Sequence, residues 1–158
     1  MKPPAWRLDP AIYPHVCQIQ TRYTDEDMLR HVNNIAVAGY YDEARSRFSR
    51  AIFNATNAAS GESLGAAHGR GRIVTADSRV SYLAEVFHRD DETVEIRTGI
   101  LRIGTSSYEI GQALIQGGRC AGLCTTVFVQ ADASGSSPLS PALRAVLEAQ
   151  MIKAPPQD

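Results

Sequence analysis

The run Asp25-Glu26-Asp27-Met28-Leu29-Arg30-His31-Val32-Asn33-Asn34 decides how this chain is read. It sets an acidic pair just ahead of a histidine and two asparagines. Asparagine favours the start of a helix because its side-chain oxygen accepts a free first-turn amide hydrogen. Apolar or small residues follow at Ile35, Ala38, Tyr41, Ala44, Phe48 and Ile52, close to the i, i+3, i+4 spacing of one buried helix face. The pattern predicts a helix from about Val32 to Asn54, with Asp27 just upstream of its N-terminus. Backbone amides and the positive end of the helix dipole hold a carboxylate ionised there and can stabilise an oxyanion. One short segment can thus combine a nucleophile or base with an oxyanion site.

Outward from this run, Val16 to Tyr23 alternates Val16, Gln18 and Gln20 against Cys17, Ile19 and Thr21, which predicts a first strand entering the acidic loop. Residues 1–14 carry four prolines and read as an extended lead-in. From Asn54 to Gly71 the chain is rich in Ala, Asn, Ser and Gly, the composition of a helix end and a long connection. Beyond it come four β-like stretches, Arg72 to Leu83, Thr93 to Ile103, Tyr108 to Gln116 and Ala121 to Gln130, separated by Asp90-Asp91, residues 104–107 and Gly117-Gly118. Val94, Ile96, Thr98 and Ile100 alternate with Glu95, Arg97, Gly99 and Leu101, as in a sheet with one buried face. The long helix is the element available to cover that face. From Asp132 a Ser/Gly/Pro linker leads to a short helical pattern over 141–151. The expected organisation is one domain over 1–158, of α+β class, with an antiparallel sheet of five or six strands wrapped around one helix.

At 158 residues and 17.2 kDa the chain is long enough to bury a core without metal or disulfide support. Lys and Arg number 16 against 17 Asp and Glu, so no overall field draws it to nucleic acid or an anionic membrane. No apolar run approaches the roughly 20 residues that span a bilayer, and the first residues lack the apolar core of a secretion signal, so a cytoplasmic location is expected. Cys17, Cys120 and Cys124 are an odd count that suits reduced, buried thiols, with Cys120 and Cys124 expected on one face of a strand. No histidine stands near enough in sequence to complete a zinc set, and no metal is expected.

The order of these parts resembles the hotdog-fold acyl-CoA thioesterases of the 4-hydroxybenzoyl-CoA thioesterase type. Their motif runs roughly Arg-aromatic-x-Asp-x-Asp-x-x-Gly-His-Val-Asn-Asn, and Arg22, Tyr23, Asp25, Asp27, His31, Val32, Asn33 and Asn34 match it. Glu43-Ala44-Arg45, Ser81-Tyr82-Leu83 and Arg102-Ile103-Gly104-x-Ser106-Ser107 are also similar, so the likeness covers about residues 15–131. Arg30 stands where that family usually has glycine, and Ala84 where proline is common. The run is similar too to that of plant acyl-carrier-protein thioesterases, with Leu29 in place of their functional asparagine.

The resemblance implies a hotdog fold, a homodimer or dimer of dimers with sites between protomers, and hydrolysis of an acyl-CoA to acid and free coenzyme A. Coenzyme A enters as part of the substrate, with no separate cofactor. Asp27 is implied as nucleophile or general base, the amide near Asn34 as the group polarising the carbonyl, and His31 as a residue that positions substrate or pins the loop. Tyr23 and Asn33 are candidate substrate contacts. The chemistry agrees: a thiol of pKa about 8.5 leaves as thiolate, so one carboxylate and an oxyanion site can suffice. Plainer readings stand beside these: Asp27 as a capping carboxylate, Asp25 as a structural acid, Asn33 and Asn34 as caps, and His15, His68 and His88 as structural or surface histidines. Asp42 and Glu43 could supply a helix carboxylate, but beside Arg45 and Arg47 they suit ion pairs.

His68-Gly69-Arg70-Gly71-Arg72 is a basic run whose arginine forks suit the phosphates of coenzyme A, making Arg70 and Arg72 candidate binding residues; solvated loop charge is the plainer reading. Gly61-Glu62-Ser63-Leu64-Gly65 spells a nucleophile elbow, with Asp77 and His88 following in hydrolase order, yet the strand before and the helix after it are missing from the pattern. The alternative function is a non-catalytic hotdog module that binds acyl-CoA or an acyl carrier protein. A hydratase would need an Asp/His pair aimed at the acyl β-carbon, which the Asp27 and His31 spacing does not obviously provide.

Overall fold

The computed structural model describes residues 2–60 and 72–154. Strand β1 (His15–Gln20) leads through the acidic loop into helix α1 (Asn34–Ser60). Strands β2 (Arg72–Tyr82), β3 (Thr93–Ile103), β4 (Ser107–Gln116) and β5 (Arg119–Asp132) follow, then the two-residue β6 (Gly135–Ser136) and helix α2 (Pro141–Glu148). The sheet is antiparallel in the order β1-β3-β4-β5-β2, with β6 on β5, so β1 and β2 are its edges. This is the hotdog architecture, a curled sheet around a long helix. Among the described residues no helix is long and apolar enough to cross a membrane.

One face of the sheet packs on α1. Cys17, Ile19, Val94, Ile96 and Leu114 meet Val37, Tyr40, Tyr41 and Ala44 near the helix start, while Ile100, Ile110 and Tyr108 meet Phe48 and Ile52 further along. Ile35 and Ala38, expected on this face, are exposed. Stepping back four from Tyr41 gives Val37, which is buried, and Ile35 falls on the opposite side of the turn. The helix also runs past Asn54 to Ser60. In α2, capped by Ser140 and opened by Pro141, Leu143 and Leu147 close over the far end of α1.

The two apolar clusters are separated by a polar layer. Thr98, Gln112 and Thr126 are fully buried, and Gln112 donates through Nε2 to the Tyr41 carbonyl at 3.1 Å and to Thr98 Oγ1 at 3.3 Å. Arg45 reaches Thr126 Oγ1 at 3.0 Å and lies over the Phe128 ring. These bonds offset the cost of burying the donors, while Gln112 Oε1 has no partner among the described residues.

The outer face is covered by the chain ends. Residues 5–8 and 10–12, expected as a plain extended lead-in, form two 3-10 turns that place Trp6, Ile12 and Tyr13 over Ala113, Ile115 and Leu123. Ile152 enters from the other end, pairing its backbone with Ile100. Cys120 packs with this outer cluster and Cys124 with the inner one. They were expected on a single face, but a register shift opposite Leu114/Ile115 reverses the side-chain alternation between them.

Gly99 and Gly111 face each other across β3 and β4 and make the slot that Ile152 fills. A Cβ on Gly99 would lie 2.7 Å from both Ile152 Cγ1 and Pro14 Cδ. Gly99→Ala is therefore expected to destabilise the fold by about 1–3 kcal/mol, read as a lower urea midpoint. Adding Ile152→Ala should lose less than the sum of the two single changes, because the second substitution removes one of the two side-chain contacts that the first one meets, while Pro14 Cδ remains.

Candidate active site

After β1 the chain makes a 3-10 turn, Tyr23–Asp25, and the two acids of the opening run part company. Asp25 is buried at 4% exposure. Its carboxylate accepts the Arg22 amide at 2.9 Å, the Arg22 guanidinium at 3.1–3.2 Å, and the Tyr40 hydroxyl. Burial alone would raise its pKa, but the Tyr40 hydroxyl and the Arg22 amide and guanidinium outweigh it and hold the carboxyl below its ordinary value. Burial, with the same contact behind it, pushes the Tyr40 phenol up. The Asp25 carbonyl also accepts both Asn33 N–H at 2.8 Å and Asn33 Nδ2 at 2.7 Å. Asp25 thus ties the turn to the helix start.

Asp27 is exposed. Its Oδ1 accepts the amides of Leu29 at 2.9 Å and His31 at 3.3 Å, while its backbone pairs with His31 O and Arg30 N. Oδ2 has no protein partner among the described residues. This loop closes because Arg30 adopts φ 61°, the left-handed conformation that explains the glycine usual at this place in the resembling family. Asn33 is the N-cap, its Oδ1 accepting Ala36 N–H at 2.8 Å, and Asn34 is the first helical residue. The amides of Asn34 and Ile35 find no acceptor among the described residues.

The His31 ring does not bond the Asp27 carboxylate. Its Nε2 lies 3.6 Å from Glu85 Oε1, and the ring meets Phe87 edge-on at 5.3 Å. Tyr23 projects into solvent from its turn. Arg72 stands at the far end of β2 from Tyr82, whose hydroxyl reaches the Asn34 carbonyl at 3.4 Å; ten residues of strand put Arg72 roughly 30 Å away in the same protomer. Arg70, His68 and the serine motif at 61–65 lie outside the described residues. Asp77 pairs with Arg79, and His88 is engaged elsewhere, so these two do not converge as a triad. Asp42 pairs with Arg45 and Glu43 with Arg47.

Large apolar side chains stay open along the acidic loop and the helix start: Met28 is 95% and Ile35 86% exposed, with Leu29 and Tyr82 also uncovered. A cleft of about 490 Å³ opens on the Asp25 side, between the end of β1 and the first turns of α1, lined by Arg22, Ile35, Ala36, Gly39 and Tyr40 among others. Sequence reading passed over Gly39 and Tyr40. A glycine within a helix, disfavoured by about 1 kcal/mol relative to alanine, was the available signal. Among the described residues no three His, Cys, Asp or Glu side chains converge as a metal site.

An exposed carboxylate with one oxygen fixed by amides thus sits in the loop that leads to the open amides of a long helix cradled in a curled sheet. The thioesterase-like superfamily matches residues 21–147, and the chain belongs to that superfamily. No curated protein matches it in sequence. Among solved structures it is similar to the PA5185 protein of Pseudomonas aeruginosa, at 25% identity and TM-score 0.72 over 92% of this chain and 97% of that one. A thioesterase of Thermus thermophilus, complexed with coenzyme A and Zn, is 24% identical, with TM-score 0.68 over 87% and 94%. A gentisyl-coenzyme A thioesterase is 18% identical, with TM-score 0.66 over 85% and 99%.

Proposed function

We propose that the protein hydrolyses an acyl-CoA thioester, as a member of the 4-hydroxybenzoyl-CoA thioesterase type, with Asp27 as the reacting carboxylate. The observation that carries this reading is the division of Asp27 itself: Oδ1 is anchored by two amides and Oδ2 is left open beside the helix start. As nucleophile, Oδ2 adds to the thioester carbon, the oxyanion takes the Asn34 amide, and collapse expels coenzyme A thiolate, leaving an anhydride that water cleaves. As general base, Asp27 instead takes the proton of an attacking water. His31 pins the loop in either route. Asn33 and Tyr23 border the site, and Arg70 and Arg72 are assigned to the coenzyme A phosphates.

The unit is read as a homodimer. Strand β2 is an edge with an unpaired, largely exposed row of residues, which calls for a partner. Two such strands paired antiparallel about a twofold axis bring the Arg72 end of one beside the Tyr82 end of the other, which would set the basic end of one protomer near the helix start of its neighbour. The test is thiol release from a panel of aliphatic and aromatic acyl-CoAs. Turnover with at least one is expected; ligand-dependent stabilisation without thiol release would replace the hydrolase with a binding module.

A further inference from the structure

The segment 83–92, between β2 and β3, has no regular structure, yet its backbone is held by side chains from elsewhere. The Gln116 amide grips Phe87 on both sides, accepting its N–H at 2.9 Å and donating to its carbonyl at 2.7 Å. Gln20 donates to the carbonyls of Arg89 and Glu92 at 3.3 Å. His88 joins this frame through two ring nitrogens: Nδ1 lies 2.8 Å from the hydroxyl of Thr21, and Nε2 lies 3.0 Å from Asp90 Oδ1. In the neutral ring, Nε2–H donates to the carboxylate and Nδ1 accepts the Thr21 proton.

The two bonds are unequal. Thr21 is 2% exposed and the His88 side chain 10%, so theirs is made away from water. Asp90 is 92% exposed, and a solvated pair holds little. What the frame delivers is the carbonyl of Val86, which accepts the Val32 amide at 2.7 Å, one residue before the N-cap, and the Phe87 ring that meets His31.

We infer that His88 is a positioning residue for the Asp27–Asn34 site, fixing segment 83–92 against Thr21 so that Val86 and Phe87 seat Val32 and His31. The kinetic part of this inference rests on the thioesterase reading; the structural part does not. His88→Ala should lower kcat about tenfold with KM nearly unchanged, and speed hydrogen exchange of the Val32 amide about tenfold. Thr21→Val, which removes the same bond from the other side, should reproduce both effects. His88→Asn, whose side-chain amide lies at the Nδ1 position, should restore them, whereas His88→Gln, reaching toward Asp90, should not. Unchanged Val32 exchange in both His88→Ala and Thr21→Val, or equal rescue by Gln and Asn, would overturn the inference. If the wild-type protein releases no thiol, the functional reading falls while the Val32 exchange comparison still decides the role of His88.

Discussion

Asp27→Asn is expected to reduce thiol release from acyl-CoA by about a thousandfold or more while leaving the fold in place. Asparagine is the informative choice because Oδ1 of Asp27 already has structural work, accepting Leu29 and His31 N–H. An asparagine carbonyl can take both amides and keep the loop closed. What it removes is the anionic oxygen, with its capacity to add to the thioester carbon or to take a proton from water. Asp27→Ala would lose the loop contacts as well, adding about 1 kcal/mol of destabilisation to the chemical loss. The expected signature of Asp27→Asn is a collapse of kcat, a substrate affinity close to wild type, and a Tm within about 2 °C. Full activity in that variant would shift the chemistry to another carboxylate.

Asp25→Ala should act through stability, lowering it by about 2–4 kcal/mol and Tm by roughly 5–15 °C. The carboxylate satisfies a backbone amide, a guanidinium and the buried Tyr40 hydroxyl at once, and alanine leaves the last of these facing an empty pocket. The exposed Arg22 side chain can return to water, so most of the loss belongs to Tyr40 and the Arg22 amide. Acid titration checks the origin of the effect. The folded pKa of Asp25 is depressed, so the charge-dependent part of its contribution is complete above the unfolded value of about 4 and is lost as pH falls through the folded pKa. The gap in urea midpoint between wild type and Asp25→Ala should be constant above that pH and narrow below it. A gap that did not narrow at all in acid would mean that the carboxylate charge contributes nothing to it.

Much of the fold was legible in the sequence because the sheet is amphipathic: Val94, Ile96, Thr98 and Ile100 alternate inward as read. The helix start was legible through Asn33, whose capping preference is local chemistry. The phase of the helix was not, since Ile35 is apolar yet faces out, and no local rule distinguishes an apolar residue meant for the core from one meant for a ligand or a second protomer. Cys120 was misplaced because a bulge leaves little trace in composition. At the site, the order of Asp25 and Asp27 was readable, but not that Tyr40, fifteen residues on, would claim the first acid. His88 carries no motif: its partner Thr21 lies 67 positions away, and only the closed sheet brings the two together.

The buried layer of Thr98, Gln112 and Thr126 has a consequence for how the protein tolerates change. It partitions the interior beneath α1 into two compartments, one around Val37, Tyr40 and Leu114 that abuts the acidic loop, the other around Phe48, Ile52, Ile110 and Leu147 that is closed by α2. Substitutions in separate compartments share few neighbours, and their effects should add. The distal compartment is therefore where volume can drift over generations, or be redesigned for heat resistance, while the loop that bears Asp27 keeps its geometry.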